Sequence, residues 1–207
     1  MENEPTQMGF AAEAIPVPLF TELYGYGPFL GRRNRGVRDP LICRVATLHQ
    51  GPIRLILIVS DLVTMDSEAA WRIRGELGRT LRIPGNRILV AGTHTHSGPT
   101  VSRGIGWGEL DPVFQQGWIE VAVRTASRAM ADETPVTATA GRVALSAMQG
   151  CNRVFKNGPT DPDIRWVRFT SPDGSTKLLL HNHGMHAVVF GPKMLRVRRI
   201  GRVKPTG

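Results

Sequence analysis

The chain holds two cysteines in 207 residues, Cys43 and Cys151, too few for the disulfide framework of a small secreted domain. Cys43 lies inside an apolar run and reads as a small core residue. No stretch approaches the roughly 20 apolar residues that a helix needs to span a bilayer. Met1-Glu2-Asn3-Glu4 also lacks the basic start of a secretory leader, so the sequence as written is expected to stay in the cytoplasm. Aromatic residues are scarce at 6%, and none interleaves with the basic clusters at Arg32, Arg33 and Arg35 or at Arg196, Arg198, Arg199, Arg202 and Lys204. Binding of single-stranded nucleic acid relies on stacking platforms beside the charge. A basic nucleic-acid-binding module is therefore the weaker reading of the net charge of +9, and no nucleic-acid partner is expected.

What is present is ordinary globular composition, 41% apolar and 21% charged, in a length that suits one domain or a large part of one. Residues 1–24 show no periodicity and are expected to be a mobile lead-in, ending in the turn-rich Tyr24-Gly25-Tyr26-Gly27-Pro28. Leu41 to Leu48 and Ile53 to Val63 read as strands joined at Gln50-Gly51-Pro52, hence as an antiparallel pair. Asp66 or Ser67 caps a helix to about Arg82, with Ala70, Ile73, Leu77 and Leu81 on one face. Asp111-Pro112 opens a second helix to about Met130 with a stripe of Phe114, Trp118, Ala122 and Ala126. Strands are expected again in Val136 to Met148, in Ile164 to Phe169 and, past the hairpin turn Ser171-Pro172-Asp173-Gly174, in Lys177 to His183. These alternations predict an α/β fold, with mixed β-sheets flanked by helices and a site at strand ends.

The stretch that points to chemistry is Gly92-Thr93-His94-Thr95-His96-Ser97-Gly98-Pro99, at the carboxyl end of the apolar run Ile88-Leu89-Val90-Ala91. If strand geometry persists, His94 and His96 face the same way, and one imidazole is able to bind a metal while the other handles a proton. Histidines at strand ends are also commonly bonded only to nearby backbone, so the motif needs its structural context. A second centre lies at His181-Asn182-His183-Gly184-Met185-His186. Catalytic zinc gathers ligands from separate elements in this way. Asp61, after the apolar strand, is expected to be a hydrogen-bonded structural acid rather than a catalytic one.

Several pieces together resemble the neutral (alkaline, non-lysosomal) ceramidases and their bacterial relatives. The most specific is Gly92 to Pro99, similar to the family's GTHTHSGP signature. Gly36-Val37-Arg38-Asp39-Pro40-Leu41, Asp61-Leu62, Asn152-Arg153 with Gly158-Pro159-Thr160-Asp161-Pro162, and Asn182 to Gly191 follow in order. Ala187 stands where many members have proline. The resemblance covers about Gly25 to Val197 and implies a partial, incomplete ceramidase-like catalytic domain over 25–197. It implies a zinc-dependent amide hydrolase that cleaves N-acylsphingosine (ceramide) to sphingosine and a fatty acid, with a lipid amide as the small-molecule substrate and peripheral membrane contact. It further implies His94 and His186 as Zn2+ ligands and His96 and Arg153 as catalytic residues. The family's remaining ligands, a glutamate and a tyrosine, are expected past residue 207, and His181 and His183 are the other histidines near the second centre.

Residues 198–207 form a basic tail that departs from the pattern. The family continues there with a segment like Ser-Ala-Asp-Trp-Pro-Gly-Glu-Ala-Asn-Arg. The codons TCG GCG GAT TGG CCG GGT GAA GCC AAC CGG, read one base late, give Arg-Arg-Ile-Gly-Arg-Val-Lys-Pro-Thr-Gly, which is Arg198 to Gly207. The tail is thus expected to be a frameshifted end, and the chain an inactive truncated fragment if its zinc site stays incomplete. Sequencing the locus tests the frameshift: an intact downstream frame encoding the rest of the domain is the expected result, and its absence contradicts it.

Overall fold

The computed structural model describes residues 4–27, 30–145, 151–184, 186, 191 and 193–197. The first strand, β1 (Gln7–Ile15), corrects the expectation of a mobile lead-in. It pairs antiparallel with β2 (Leu41–Gln50) over its whole length, and β2 pairs antiparallel with β3 (Ile53–Ser60). Gly51, at φ +53°, makes the tight turn between β2 and β3. Helix α1 (Ser67–Leu81) then crosses over to β4 (Ile88–Gly92), which runs parallel to β3. Helix α2 (Pro112–Ala131) leads to the two-residue β5 (Thr134–Pro135), giving the sheet order β4-β3-β2-β1-β5. A second sheet follows, β6 (Thr137–Ala144), β7 (Asp163–Thr170) and β8 (Thr176–His183), antiparallel in sequence order. The strand expected from Val136 thus ends at Ala144, and positions 146–148 lie outside the described residues.

Both helices begin where their caps predict. Asp66 accepts the Ala69 amide at 3.0 Å, and Asp111 accepts those of Val113 and Phe114 at 2.9 and 3.1 Å. Their apolar stripes meet one face of the large sheet in a core that includes Ile73, Leu77, Phe114, Trp118, Ile56 and Ile58. The indole of Trp118 donates to the Ser60 hydroxyl at 2.9 Å, so its one polar group is satisfied inside the core. On the opposite face Met8, Ala46 and Val136 pack with Phe169 of the small sheet. The result is three layers: helices, the five-stranded sheet and the three-stranded sheet.

Strand β1 is hidden in the sequence because small residues stand where β-branched ones usually mark a strand. Gly9, Ala11, Ala12 and Ala14 let α2 lie close upon it. A Cβ on Gly9 would sit 1.8 Å from the Ala129 carbonyl oxygen. The chain after β1 is also fixed rather than loose. Leu23 is buried, Glu22 bridges Arg33, and Leu23 bridges Pro99. Residues 193–197 close against the same region, where Val197 pairs with Val37 and donates to the Gly36 carbonyl at 3.0 Å. The basic tail 198–207 and Ala187 lie outside the described residues.

Candidate metal centre

Strand β4 ends at Gly92, and His94 takes φ +65°, so continued alternation is not what brings the two histidines together. A turn does it. The amides of Thr93 and His94 donate to Ser60 and Leu62 at 3.0 and 2.9 Å, which ties this segment to the end of β3. The left-handed conformation is unusual for a residue other than glycine. Here it turns the ring so that Nδ1 donates to the Val63 carbonyl at 2.6 Å. A carbonyl only accepts, so the proton of neutral His94 is on Nδ1 and its Nε2 lone pair is free. Metal-ligating histidines have their tautomer fixed by a second bond of this kind.

That Nε2 faces two others. His96 Nε2 is 3.1 Å away and His186 Nε2 is 3.2 Å away. His186 comes from the stretch after β8, so the two histidine centres of the sequence meet in space. Zinc bound to nitrogen at about 2.0–2.1 Å in tetrahedral geometry holds two ligand nitrogens about 3.3 Å apart, close to both spacings. The donor set, three imidazoles with one tautomer fixed, fits a zinc ion. Among the described residues no carboxylate or cysteine joins this group. His181, on β8 and exposed, and His183 stay outside it.

His96 is the most enclosed of the three. Gly25, at φ +117°, lies flat on it, so that a Cβ there would come within 2.7 Å of the ring carbon Cγ. The Tyr26 ring meets the imidazole edge-on at 5.2 Å, and the Arg32 guanidinium stacks over Tyr26 at 4.9 Å. Burial first, then the neighbouring His94 and His186, push the His96 pKa down to about 4. Burial followed by the same kind of repulsion also lowers that of His186. The charge of Arg153 contributes to both shifts, which sets its guanidinium beside the centre. Asn152 shapes the loop that carries it, accepting the amides of Val154 and Phe155 at 2.9 Å each and donating to the Pro159 carbonyl at 3.0 Å.

Asp61 has the structural role expected of it. It is buried and accepts from the Ile42 amide at 3.0 Å, the Arg44 guanidinium at 2.9 Å and the Thr93 hydroxyl at 3.2 Å. It therefore ties β2, β3 and the start of the histidine turn together. The shell formed by Gly25, Tyr26 and Arg32 was missed by sequence reasoning. Its only signal is two tyrosines alternating with glycines in a stretch otherwise read as a lead-in.

Two predictions arise here. The unfolded chain protonates His96 near pH 6.5 and the folded chain only near about 4, so the unfolded state binds more protons between these values. The metal-free chain should lose stability as pH falls through that window. Urea midpoints at pH 7 and pH 5 measure this, and His96→Phe should shrink the difference; equal pH dependence in both chains contradicts it. The second concerns Gly25→Ala, which should destabilise by about 1–3 kcal/mol and shift the His96 ring resonances. Gly27→Ala, also at positive φ but with open space around its Cβ, should leave those resonances in place. Equal effects of the two would show that Gly25 does not pack the ring.

No protein-family model matches the sequence, and no curated protein matches it. Solved structures do. The chain aligns with the neutral ceramidase from Pseudomonas aeruginosa at TM-score 0.83 and 17% identity, over 95% of this chain and 34% of that one. It aligns with a ceramidase complexed with C2 at TM-score 0.82 and 17% identity, over 94% and 33%. The fold is thus that of part of a neutral ceramidase: mixed α/β, two sheets and two helices. The chain spans about a third of the length of either structure. Among the described residues no helix is long and apolar enough to cross a membrane.

Proposed function

We propose that the chain carries the zinc centre of an amide hydrolase of the neutral ceramidase type, acting on N-acylsphingosine to give sphingosine and a fatty acid. The observation that carries this is the convergence of His94, His96 and His186 through Nε2, with His94 Nδ1 anchored on Val63, on a fold shared with that enzyme. His94 and His186 are the zinc ligands. His96 and Arg153 act on the substrate.

A zinc ion held there supplies Lewis acidity at the scissile carbonyl and activates the attacking nucleophile at neutral pH. The residues around it have separable tasks. His96 is neutral at pH 7, since its pKa is about 4, so it serves as a hydrogen-bond donor and not as a cation. Its buried Nδ1 has no hydrogen-bond partner. A proton placed there would be a buried donor left unpaired, so Nε2 is the better place for it. That proton points at the His94 lone pair at 3.1 Å. Once that lone pair is committed to a metal, the His96 N–H is released toward the oxygen on which negative charge develops. Arg153 supplies the positive charge that His96 lacks.

Release of fatty acid from a short-chain N-acylsphingosine by the zinc-loaded chain tests this reading. Arg153→Ala should lower kcat by roughly a hundredfold or more with bound zinc retained. Equal rates for wild type, Arg153→Ala and His186→Ala contradict it. A second reading, that the chain holds zinc without turning over, rests on the absence of any carboxylate in the cluster among the described residues. It predicts stoichiometric metal with no hydrolysis.

A further inference from the structure

Three loops border the histidine centre, and each carries large apolar side chains into water. Segment 24–31 touches His96 through Gly25 and Tyr26 and carries Leu30, which is 65% exposed. Segment 103–108 joins it through the Tyr24–Trp107 ring contact at 5.3 Å and carries Ile105, whose side chain is fully exposed. Segment 152–157 holds Arg153 beside His96 and His186 and presents Val154 and Phe155, which are 78% and 66% exposed. Single exposed apolar residues are normal on a protein surface, but a group of them around one site marks an interaction surface.

The charge on these loops is of one sign. Arg103, Arg153 and Lys156 are exposed, and the three segments contain no aspartate or glutamate. Apolar tips interspersed with cations match the interface of an anionic bilayer, where side chains enter the headgroup boundary and each Lys or Arg near the surface gains about 1 kcal/mol.

We propose that this rim docks the chain onto an anionic lipid bilayer, with the histidine centre facing the membrane. The surface features stand on their own and do not depend on the hydrolase reading. A second exposed apolar area, around Leu55, Trp71 and Leu89, lies at the other end of β4, where Arg74 and Arg87 flank it. It serves as the internal rival.

Cosedimentation of the full chain with vesicles of phosphatidylcholine, alone or mixed with phosphatidylglycerol, is the test. Wild type should bind the anionic vesicles and bind the neutral ones more weakly. Ile105→Ser with Phe155→Ser should weaken anionic-vesicle binding by about tenfold or more, as expected for large apolar side chains left in water. Arg103→Gln with Lys156→Gln should weaken it by roughly thirtyfold and leave neutral-vesicle binding unchanged. Trp71→Ser with Leu89→Ser should bind as wild type does. Brominated lipids should quench wild-type tryptophan fluorescence, and Trp107→Phe should lose that quenching, a readout that removes no apolar contact from the core. The proposal is overturned if wild type does not bind, if the rim variants bind normally, or if only Trp71→Ser with Leu89→Ser loses binding. It is also overturned if the rim instead pairs two copies of the chain, seen as a dimer that Ile105→Ser with Phe155→Ser dissociates.

Discussion

His94→Asn is expected to lower zinc affinity by roughly two to three orders of magnitude, because zinc binding of about 10–16 kcal/mol is shared over about four ligands. Asparagine suits this position. It is among the few residues that adopt positive φ readily, so the turn at φ +65° survives while the imidazole is lost. Circular dichroism should therefore match wild type, and competition with a chromophoric chelator should report the weaker binding. His186→Ala, on a different element, should lose affinity to a similar degree. If His94→Asn binds zinc as wild type does, the Nδ1 anchor on Val63 has no ligand-orienting role and the centre is not built around His94.

The second large effect belongs to Asp61. Asp61→Ala removes the acceptor for the Ile42 amide, the Arg44 guanidinium and the Thr93 hydroxyl at once. Breaking a buried hydrogen-bonded ion pair by removing one partner costs about 3–5 kcal/mol. Arg44 is partly solvated, with a third of its side chain exposed, so the lower end of that range is expected. That is still a large share of the 5–15 kcal/mol that holds a typical domain together. Urea denaturation should show a lower midpoint at an unchanged slope. Asp61→Asn, which keeps one oxygen acceptor, should lose less. A change of under about 0.5 kcal/mol in Asp61→Ala, the range of ordinary surface substitutions, contradicts the role assigned to this carboxylate.

The two helices were legible because their signals are local. Asp66 and Asp111 cap them, Pro112 opens the second, and the stripe from Phe114 to Ala126 repeats at helical spacing. The hairpin of β2 and β3 and the strand before the histidines were legible for similar reasons. Strand β1 was not, since its reason for being a strand lies in α2: Gly9 and the alanines are small so that the helix can approach, and nothing within 1–15 announces that. The histidine pair was found, but by a geometry the chain does not use. Alternation along a strand was expected, whereas a left-handed residue at His94 and a turn at His96 produce the convergence. The meeting of His94 with His186, 92 positions apart, follows from how β4 and β8 are placed by the fold, which local pattern does not encode. Arg153 sits in an irregular loop where no periodicity marks a functional side chain. Only the Asn152-Arg153 resemblance pointed to it.

Zinc content of the purified wild-type chain, by elemental analysis after dialysis against metal-free buffer, is the most direct test of the central claim. The geometry of His94, His96 and His186 predicts about one zinc per chain, in keeping with a single mononuclear site, and loss of it in His94→Asn and His186→Ala. A folded wild-type chain that retains no zinc, or retains it equally in both variants, would contradict the account.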